Sequence, residues 1–403
     1  MQASEVARVV IALAVAVSLA VLGAHPRVLR WERRFGLTVL ASSGFPFLLL
    51  GVLFRELGVL TNAVLTDLRP LFEFGLGWIG LTIGTNLDLR RFDRMPAAFA
   101  PIIALASLLP ILCAAVACSL TLAWLGVVPG RGLMRDGLIL MACAAVSAPA
   151  NLELLLRRWK SSMALVLEVT RVDQLVALAI LGFLAVYFRP DRTVTLWHLP
   201  RSGWFLMTLG LGALLGVVIY LIVRNVQDRT EELALLMGGV ALAAGMAGYL
   251  ALSVAVVCAL AGAVLINVQS SERIVGTLRD VERPTYFLFL FVVGAAWRPD
   301  EWQGWVLGLV FAVSRGYGKV LAARIASWMD RDLPAWPPLA VSLLPESSVA
   351  IVVLFSATVL GGDTSGPVRW AINAVIVGSV LTEIAVQAFQ RRERRLLGEE
   401  TAS

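Results

Sequence analysis

The sequence predicts an all-α polytopic membrane protein of about thirteen transmembrane helices. Apolar residues make up 59% of the 403 residues and charged residues only 15%, whereas an ordinary soluble domain carries roughly 25% charged residues. The mean hydropathy is +0.82, and the apolar residues form runs of about 20 residues, the length that crosses a bilayer as a helix. These runs leave no room for a sizeable soluble domain.

Thirteen apolar runs separated by charged connectors are predicted to be membrane-spanning helices. The first run has a single basic residue, Arg8, before its core, so we interpret it as a retained helix and not as a signal peptide. The predicted spans are residues 6–24, 35–54, 71–87, 97–122, 133–155, 165–188, 203–223, 232–249, 250–267, 284–297, 305–328, 339–360 and 370–389.

Arginine placement predicts the orientation of the chain. Alternate connectors are arginine-rich, and cytoplasmic loops carry the excess of basic residues. We therefore expect a cytoplasmic C-terminus and an external N-terminus in a cell membrane of the bacterial inner-membrane type. The net charge of +6 is attributed to these loop arginines near lipid headgroups and not to nucleic-acid binding. The arginine-rich segments are residues 27–34, 90–94, 157–160, 224–229, 273–283 and 391–395.

Cysteine and histidine usage predicts neither a cofactor nor a histidine metal site. The four cysteines lie inside apolar runs without metal-type spacing, where a free thiol packs as a small hydrophobe. Both histidines, His25 and His198, fall in predicted loops. The sequence has no nucleophile–base pair, HExxH motif or GxSxG turn, so we do not expect an enzyme.

Two predicted spans carry a proline among small polar residues. Pro149 lies within residues 144–151, and Pro345 lies within residues 342–348. A proline leaves backbone groups unpaired, which is tolerated in hydrocarbon only where protein or water satisfies them. A simple kink is the alternative at each site. A pair of such breaks is typical of inverted repeats whose discontinuous helices cross at mid-membrane.

Asp173 lies within the apolar run 165–187, where a charged carboxylate is costly and marks an ion or proton pathway. Glu168 and Arg171 lie within one or two helical turns of it. Arg315 and Lys319 interrupt a later apolar run. An ion-coupled transporter is the function that explains all five charges.

Several short stretches along nearly the whole chain resemble motifs of the monovalent cation/proton antiporter superfamily, which includes sodium/proton exchangers and Kef-type antiporters. Their order along the chain carries the resemblance, since no single stretch is specific. They are GVLFRELGVL at 51–60, LFEFGL at 71–76, GTNLDLR at 84–90, SAPA at 147–150, PTYF at 284–287 with VGA at 293–295, and RGYGK at 315–319.

The resemblance implies that Asp173 binds a proton or, transiently, Na⁺ or K⁺. Burial disfavours the charged carboxylate, whereas a bound cation favours it. Ser147, Asn151, Thr170 and backbone carbonyls near Ala148 are candidates for the oxygen shell that a hard cation prefers. The superfamily usually has Asn, Asp or Gln immediately before this acid, whereas this chain has Val172. An electroneutral exchange at a single carboxylate is therefore expected.

Five further charged residues are assigned roles beside Asp173. Glu168 pairs either with Arg315, as the resemblance implies, or locally with Arg171. Lys319 either belongs to the site or extends to the membrane interface. Arg315 and Lys319 carry like charges on one helix face, so acids or half-helix C-termini are expected beside them. Glu346, at the second break, is a candidate additional acid.

The resemblance also implies an architecture and competing functions. A core bundle (residues 97–188 and 305–389) would move against a scaffold (6–87 and 203–297) that forms a homodimer. Because the segment after Phe389 is short, no soluble regulatory domain of the Kef kind is expected. The partners expected are a monovalent cation, the proton and the lipid bilayer. The alternatives are a degenerate relative that acts as an ion sensor or gated pathway, and a sodium-coupled carrier of organic anions.

Overall fold

A computed structural model describes most of the chain after residue 44. Within the described residues all regular elements are helices, which confirms the predicted all-α class. The first predicted span, 6–24, lies outside the described residues apart from two isolated positions. The structure describes residues 14, 18, 45–90, 96, 99–128, 130–148, 160–188, 199–226, 228–268, 272–330, 333, 336–361 and 366–396.

Fourteen helices are described, and each predicted span after the first corresponds to at least one of them. Six of them, α4, α6, α7, α8, α11 and α14 in the numbering below, are long and apolar enough to cross a membrane. The helices are α1 (Phe45–Glu56), α2 (Asn62–Asp67), α3 (Arg69–Gly84), α4 (Phe99–Trp124), α5 (Arg131–Ala145), α6 (Lys160–Tyr187), α7 (Arg201–Val223), α8 (Arg229–Tyr249), α9 (Val254–Val268), α10 (Glu272–Ala296), α11 (Trp302–Met329), α12 (Trp336–Ser342), α13 (Ser348–Gly361) and α14 (Gly366–Leu396).

The helices depart from the predicted spans in two places, and in a third the predicted break at Pro345 is present. The short helix α2 was not predicted, because its six residues are too few to form an apolar run. Helix α10 begins at Glu272 and not at residue 284, because its first turns are charged and a search for apolar runs does not detect them. The span 339–360 is two helices, α12 and α13, separated around Pro345.

The chain divides into two compact units, the first of which comprises Met1–Arg94, Leu181–Trp297 and Ile351–Asp363. Glycines let its helices approach one another closely. A Cβ added at Gly84 on α3 would collide with the carbonyl of Ala259 on α9, and one added at Gly262 would collide with the carbonyl of Leu81. Because an added methyl has no space there, the packing of α3 against α9 requires glycine.

The second unit comprises Met95–Ile180, Arg298–Ala350 and Thr364–Ser403, and it contains the charged residues singled out above. Helices α4, α6, α11 and α12 share an apolar cluster that includes Ile103, Val166 and Ala323. Val172 packs against this cluster. Its apolar side chain therefore belongs to the packing of the unit.

Candidate functional site

The Asp173 carboxylate is fully buried in the second unit and is hydrogen-bonded at both oxygens. Oδ1 accepts a hydrogen bond from Ser107 Oγ at 2.5 Å. Oδ2 accepts one from Ser147 Oγ at 2.6 Å and another from Lys319 Nζ at 2.8 Å. Helices α4, α6 and α11 and the segment after α5 thus each contribute one side chain. Two hydroxyl donors and an ammonium satisfy the charge that burial would otherwise penalise.

The Lys319 ammonium is also fully buried and lies among oxygens. Besides the 2.8 Å contact with Asp173, Nζ lies 3.3 Å from the carbonyl oxygens of Ala106 and Ala145. An ammonium has three donors and no acceptor, so this environment matches its bonding capacity. Lys319 therefore belongs to the buried site, and its side chain does not extend to the membrane interface.

The Arg315 guanidinium connects the two interrupted segments. Its Nη2 donates to the carbonyl of Val146 at 2.6 Å, just after α5, and its Nη1 donates to the carbonyl of Leu344 at 2.5 Å, just after α12. The two segments also meet directly, because the amide of Ala148 donates to the carbonyl of Pro345 at 2.8 Å. Carbonyls at helix C-termini carry partial negative charge, which a buried guanidinium stabilises.

Glu346 is the acidic partner of Arg315 in this arrangement. Its side chain is 6% exposed, and its Oε1 lies 4.0 Å from Arg315 Nε. Its other oxygen accepts a hydrogen bond from Ser379 on α14. The buried group therefore has two acidic side chains, Asp173 and Glu346, and two basic ones, Arg315 and Lys319. Its formal net charge is zero.

Two other predicted residues have partners outside this group. Glu168 pairs with Arg171 three residues later, and both side chains are partly exposed. The structure therefore has the local pair and not a pair of Glu168 with Arg315. The Thr170 hydroxyl donates to the carbonyl of Leu167 in its own helix, at 2.8 Å, so it is not directed at the carboxylate.

The first break is only partly described. Helix α5 ends at Ala145 and Val146 is extended, with ψ of 133°. Pro149 and Asn151 lie outside the described residues. The backbone of the second break is described throughout, and Pro345 at its centre is buried.

The contribution of helix α4 was not predicted from the sequence. Ser107 donates to Asp173, and the carbonyl of Ala106 faces Lys319. One signal was available in the sequence, because Pro110 interrupts the hydrogen bonding of an otherwise continuous apolar helix. Such a proline exposes a carbonyl on the preceding turn, which marks a polar position inside a span.

Two interrupted segments that meet beside a buried carboxylate and ammonium are typical of secondary transporters with discontinuous helices. A sequence model of the family described as "Sodium/hydrogen exchanger, transmembrane" matches residues 10–389. The chain belongs to the sodium/hydrogen exchanger family. This match confirms the predicted resemblance to the cation/proton antiporter superfamily. The sodium/hydrogen exchanger family is a family of transporters and not an enzyme class.

The fold is similar to that of a solved structure, the sodium proton antiporter MjNhaP1 from Methanocaldococcus jannaschii at pH 8. The TM-score is 0.65 and the sequence identity is 14%, over 96% of this chain and 100% of that chain. At this identity the likeness shows the fold alone. No curated protein sequence matches the chain. Family and fold together confirm the predicted multi-pass membrane protein of antiporter type.

Proposed function

We propose that this protein exchanges a monovalent cation, Na⁺ or K⁺, for a proton across a bacterial-type inner membrane, with Asp173 as the exchanging group. One observation carries the proposal. The Asp173 carboxylate is fully buried, yet it already holds a positive charge, the Lys319 ammonium, at 2.8 Å. A buried anion that accepts one cationic partner can exchange it for another of the same charge.

Competition for this carboxylate couples the two fluxes. A cation that binds Asp173 must displace a proton from the carboxylate, or displace the ammonium, which can leave by giving its proton to the open side. In both cases one positive charge enters and one leaves. The side chain beside the acid, Val172, packs in the apolar cluster and has no proton to exchange. The exchange is therefore one cation for one proton and electroneutral.

The movement is assigned to the predicted core, residues 97–188 and 305–389, against the predicted scaffold, residues 6–87 and 203–297. Two observations support this: glycine contacts pack α3 against α9 within the predicted scaffold, and the apolar cluster packs four helices within the predicted core. The compact units do not coincide with this division throughout, because residues 181–188 and 351–360 of the predicted core lie in the first unit. Two copies of the scaffold form a homodimer. The N-terminus lies outside and the C-terminus in the cytoplasm.

Proteoliposomes that contain a pH-sensitive dye test the exchange. Pulses of Na⁺, K⁺ or Li⁺ are expected to drive proton flux for at least one cation. With Na⁺, the initial rate is expected to be the same when valinomycin and K⁺ set the membrane potential to zero or to a negative value, because no net charge moves. A rate that changes with membrane potential would contradict the electroneutral cycle.

Two other outcomes would favour the alternative functions. Cation binding to the purified protein without proton flux would favour an ion sensor or gated pathway. Sodium flux that requires an organic anion would favour a sodium-coupled carrier.

A further inference from the structure

Two alanine carbonyls contact the Lys319 ammonium, and in the sequence each alanine is followed four residues later by a proline. Pro110 lies four residues after Ala106, and Pro149 lies four residues after Ala145. In both segments it is the alanine carbonyl that lies 3.3 Å from Lys319 Nζ. Ala106 lies within α4 and Ala145 ends α5, so carbonyls from two separate helices face the same ammonium.

The spacing explains why these carbonyls are available. In a helix the amide at position i+4 donates to the carbonyl at position i, and proline has no amide hydrogen. The carbonyl of Ala106 therefore has no donor from Pro110. The carbonyl of Ala145 lacks the same donor and also stands at the end of α5. In a membrane interior an unpaired carbonyl is costly, so it requires another partner.

Each segment also supplies one hydroxyl. Ser107 Oγ donates to Asp173 Oδ1 at 2.5 Å, and Ser147 Oγ donates to Asp173 Oδ2 at 2.6 Å. With the two carbonyls and the carboxylate they form a compact group of oxygens, here called the oxygen cluster. The Lys319 ammonium contacts three of its members, the carboxylate and both carbonyls.

We propose that α4 completes the cation site at Asp173, with the Ala106 carbonyl and the Ser107 hydroxyl of the oxygen cluster as its ligands. Pro110 is a positioning residue, because it keeps the Ala106 carbonyl free to face the ion. This inference rests on the proposed exchange at Asp173 and names further ligands of the same site.

The chemistry of the ammonium supports the assignment. An ammonium is a compact point charge of about the size of K⁺, so it stands in for a monovalent cation among the same oxygens. Carboxylate, carbonyl and hydroxyl oxygens are the ligands that hard cations prefer. When Lys319 withdraws, the oxygens that it leaves can close around the incoming ion.

The approach of α4 to α11 is built into the packing. A Cβ added at Gly318, the residue before Lys319, would lie 2.5 Å from the Cα of Pro110. Any side chain at that position would push α4 away from Lys319. The glycine therefore keeps the proline turn within reach of the site.

Pro110→Ala tests the carbonyl. The new amide would donate to the Ala106 carbonyl and withdraw it from the ion, so the Na⁺ concentration for half-maximal flux should rise about tenfold, as expected for one lost contact to a charge. The maximal rate should change less, and the order of preference among Li⁺, Na⁺ and K⁺ should shift. Pro101→Ala is the matched control, because Pro101 lies in the exposed first turn of the same helix, where proline costs nothing.

Ser107→Ala tests the hydroxyl through direct binding of ²²Na⁺ to the purified protein. If Pro110→Ala does not fold, the result for Ser107→Ala alone tests the contribution of α4. Binding should weaken about tenfold. The matched control is Thr121→Val, whose hydroxyl donates to the Ala117 carbonyl of the same helix. Binding and selectivity equal to the native protein in both test variants would overturn the inference.

An Asp173→Asn sample in the same binding series separates the two possible failures. Native-like ²²Na⁺ binding in Asp173→Asn would contradict the proposed exchange itself. Loss of binding in Asp173→Asn, with native-like binding in Ser107→Ala and Pro110→Ala, would contradict only the part assigned to α4.

Discussion

Asp173→Asn is expected to abolish cation-driven proton flux in proteoliposomes. The amide is nearly isosteric with the carboxylate, but it neither carries the negative charge that binds a cation nor releases a proton. The substitution also leaves the fully buried Lys319 ammonium without its counter-ion. Loss of one partner of a buried ion pair costs about 3–5 kcal/mol, so the thermal midpoint of the purified variant should fall as well.

Two further variants separate loss of function from loss of stability. The double variant Asp173→Asn/Lys319→Gln removes both buried charges, so its thermal midpoint should recover towards the native value while flux remains absent. Asp280→Asn is the matched control, because that carboxylate forms an exposed pair with Arg229 and should leave flux unchanged. Cation-driven flux in Asp173→Asn at the native rate would contradict the role assigned to this residue.

Arg315→Gln is expected to destabilise the protein strongly. The buried guanidinium donates to carbonyls on both interrupted segments and faces Glu346, so its loss removes one half of a buried charge pair. We expect destabilisation of about 3–5 kcal/mol, measured as a lower thermal midpoint and a lower yield of monodisperse protein in detergent. Arg324→Gln is the matched control, since Arg324 is exposed on the same helix and its loss should cost below about 1 kcal/mol.

The double variant Arg315→Gln/Glu346→Gln tests the charge pairing in this prediction. Because both charges are removed together, its thermal midpoint should lie above that of Arg315→Gln. Glu168→Gln should leave Arg315 unaffected, since Glu168 pairs with Arg171 at a partly exposed position. If Glu168→Gln destabilised the protein as much as Arg315→Gln does, the partner assigned to Arg315 would be wrong.

Helix positions could be predicted from the sequence because membrane spans are decided locally by the length of an apolar run. The break near Pro345 was also predictable from local sequence, because proline removes a backbone hydrogen bond wherever it stands in a helix. The charged first turns of α10 and the six-residue helix α2 were not predictable in this way. Neither of them lies in an apolar run.

The charges of the candidate site were recognisable in the sequence, but their pairing was not. Glu168 and Glu346 are chemically equivalent candidates for the partner of Arg315. The choice between them depends on the packing of the helices, which brings Glu346 to Arg315. The position of the Lys319 ammonium was also not predictable, because such a long side chain can reach either the membrane interface or the protein interior. Ser107 was missed because serine is common in membrane helices, and its role depends on the distance between α4 and α6.

If Asp173 holds either a proton or a metal cation, with the Lys319 ammonium as its internal competitor, binding of Na⁺ must release a proton. The most direct test is to titrate the purified, lightly buffered protein with Na⁺ and measure bound ²²Na⁺ and released protons together. We predict about one proton released for each Na⁺ bound in the native protein, and neither in Asp173→Asn. Na⁺ binding without proton release, or binding that survives in Asp173→Asn, would contradict the claim.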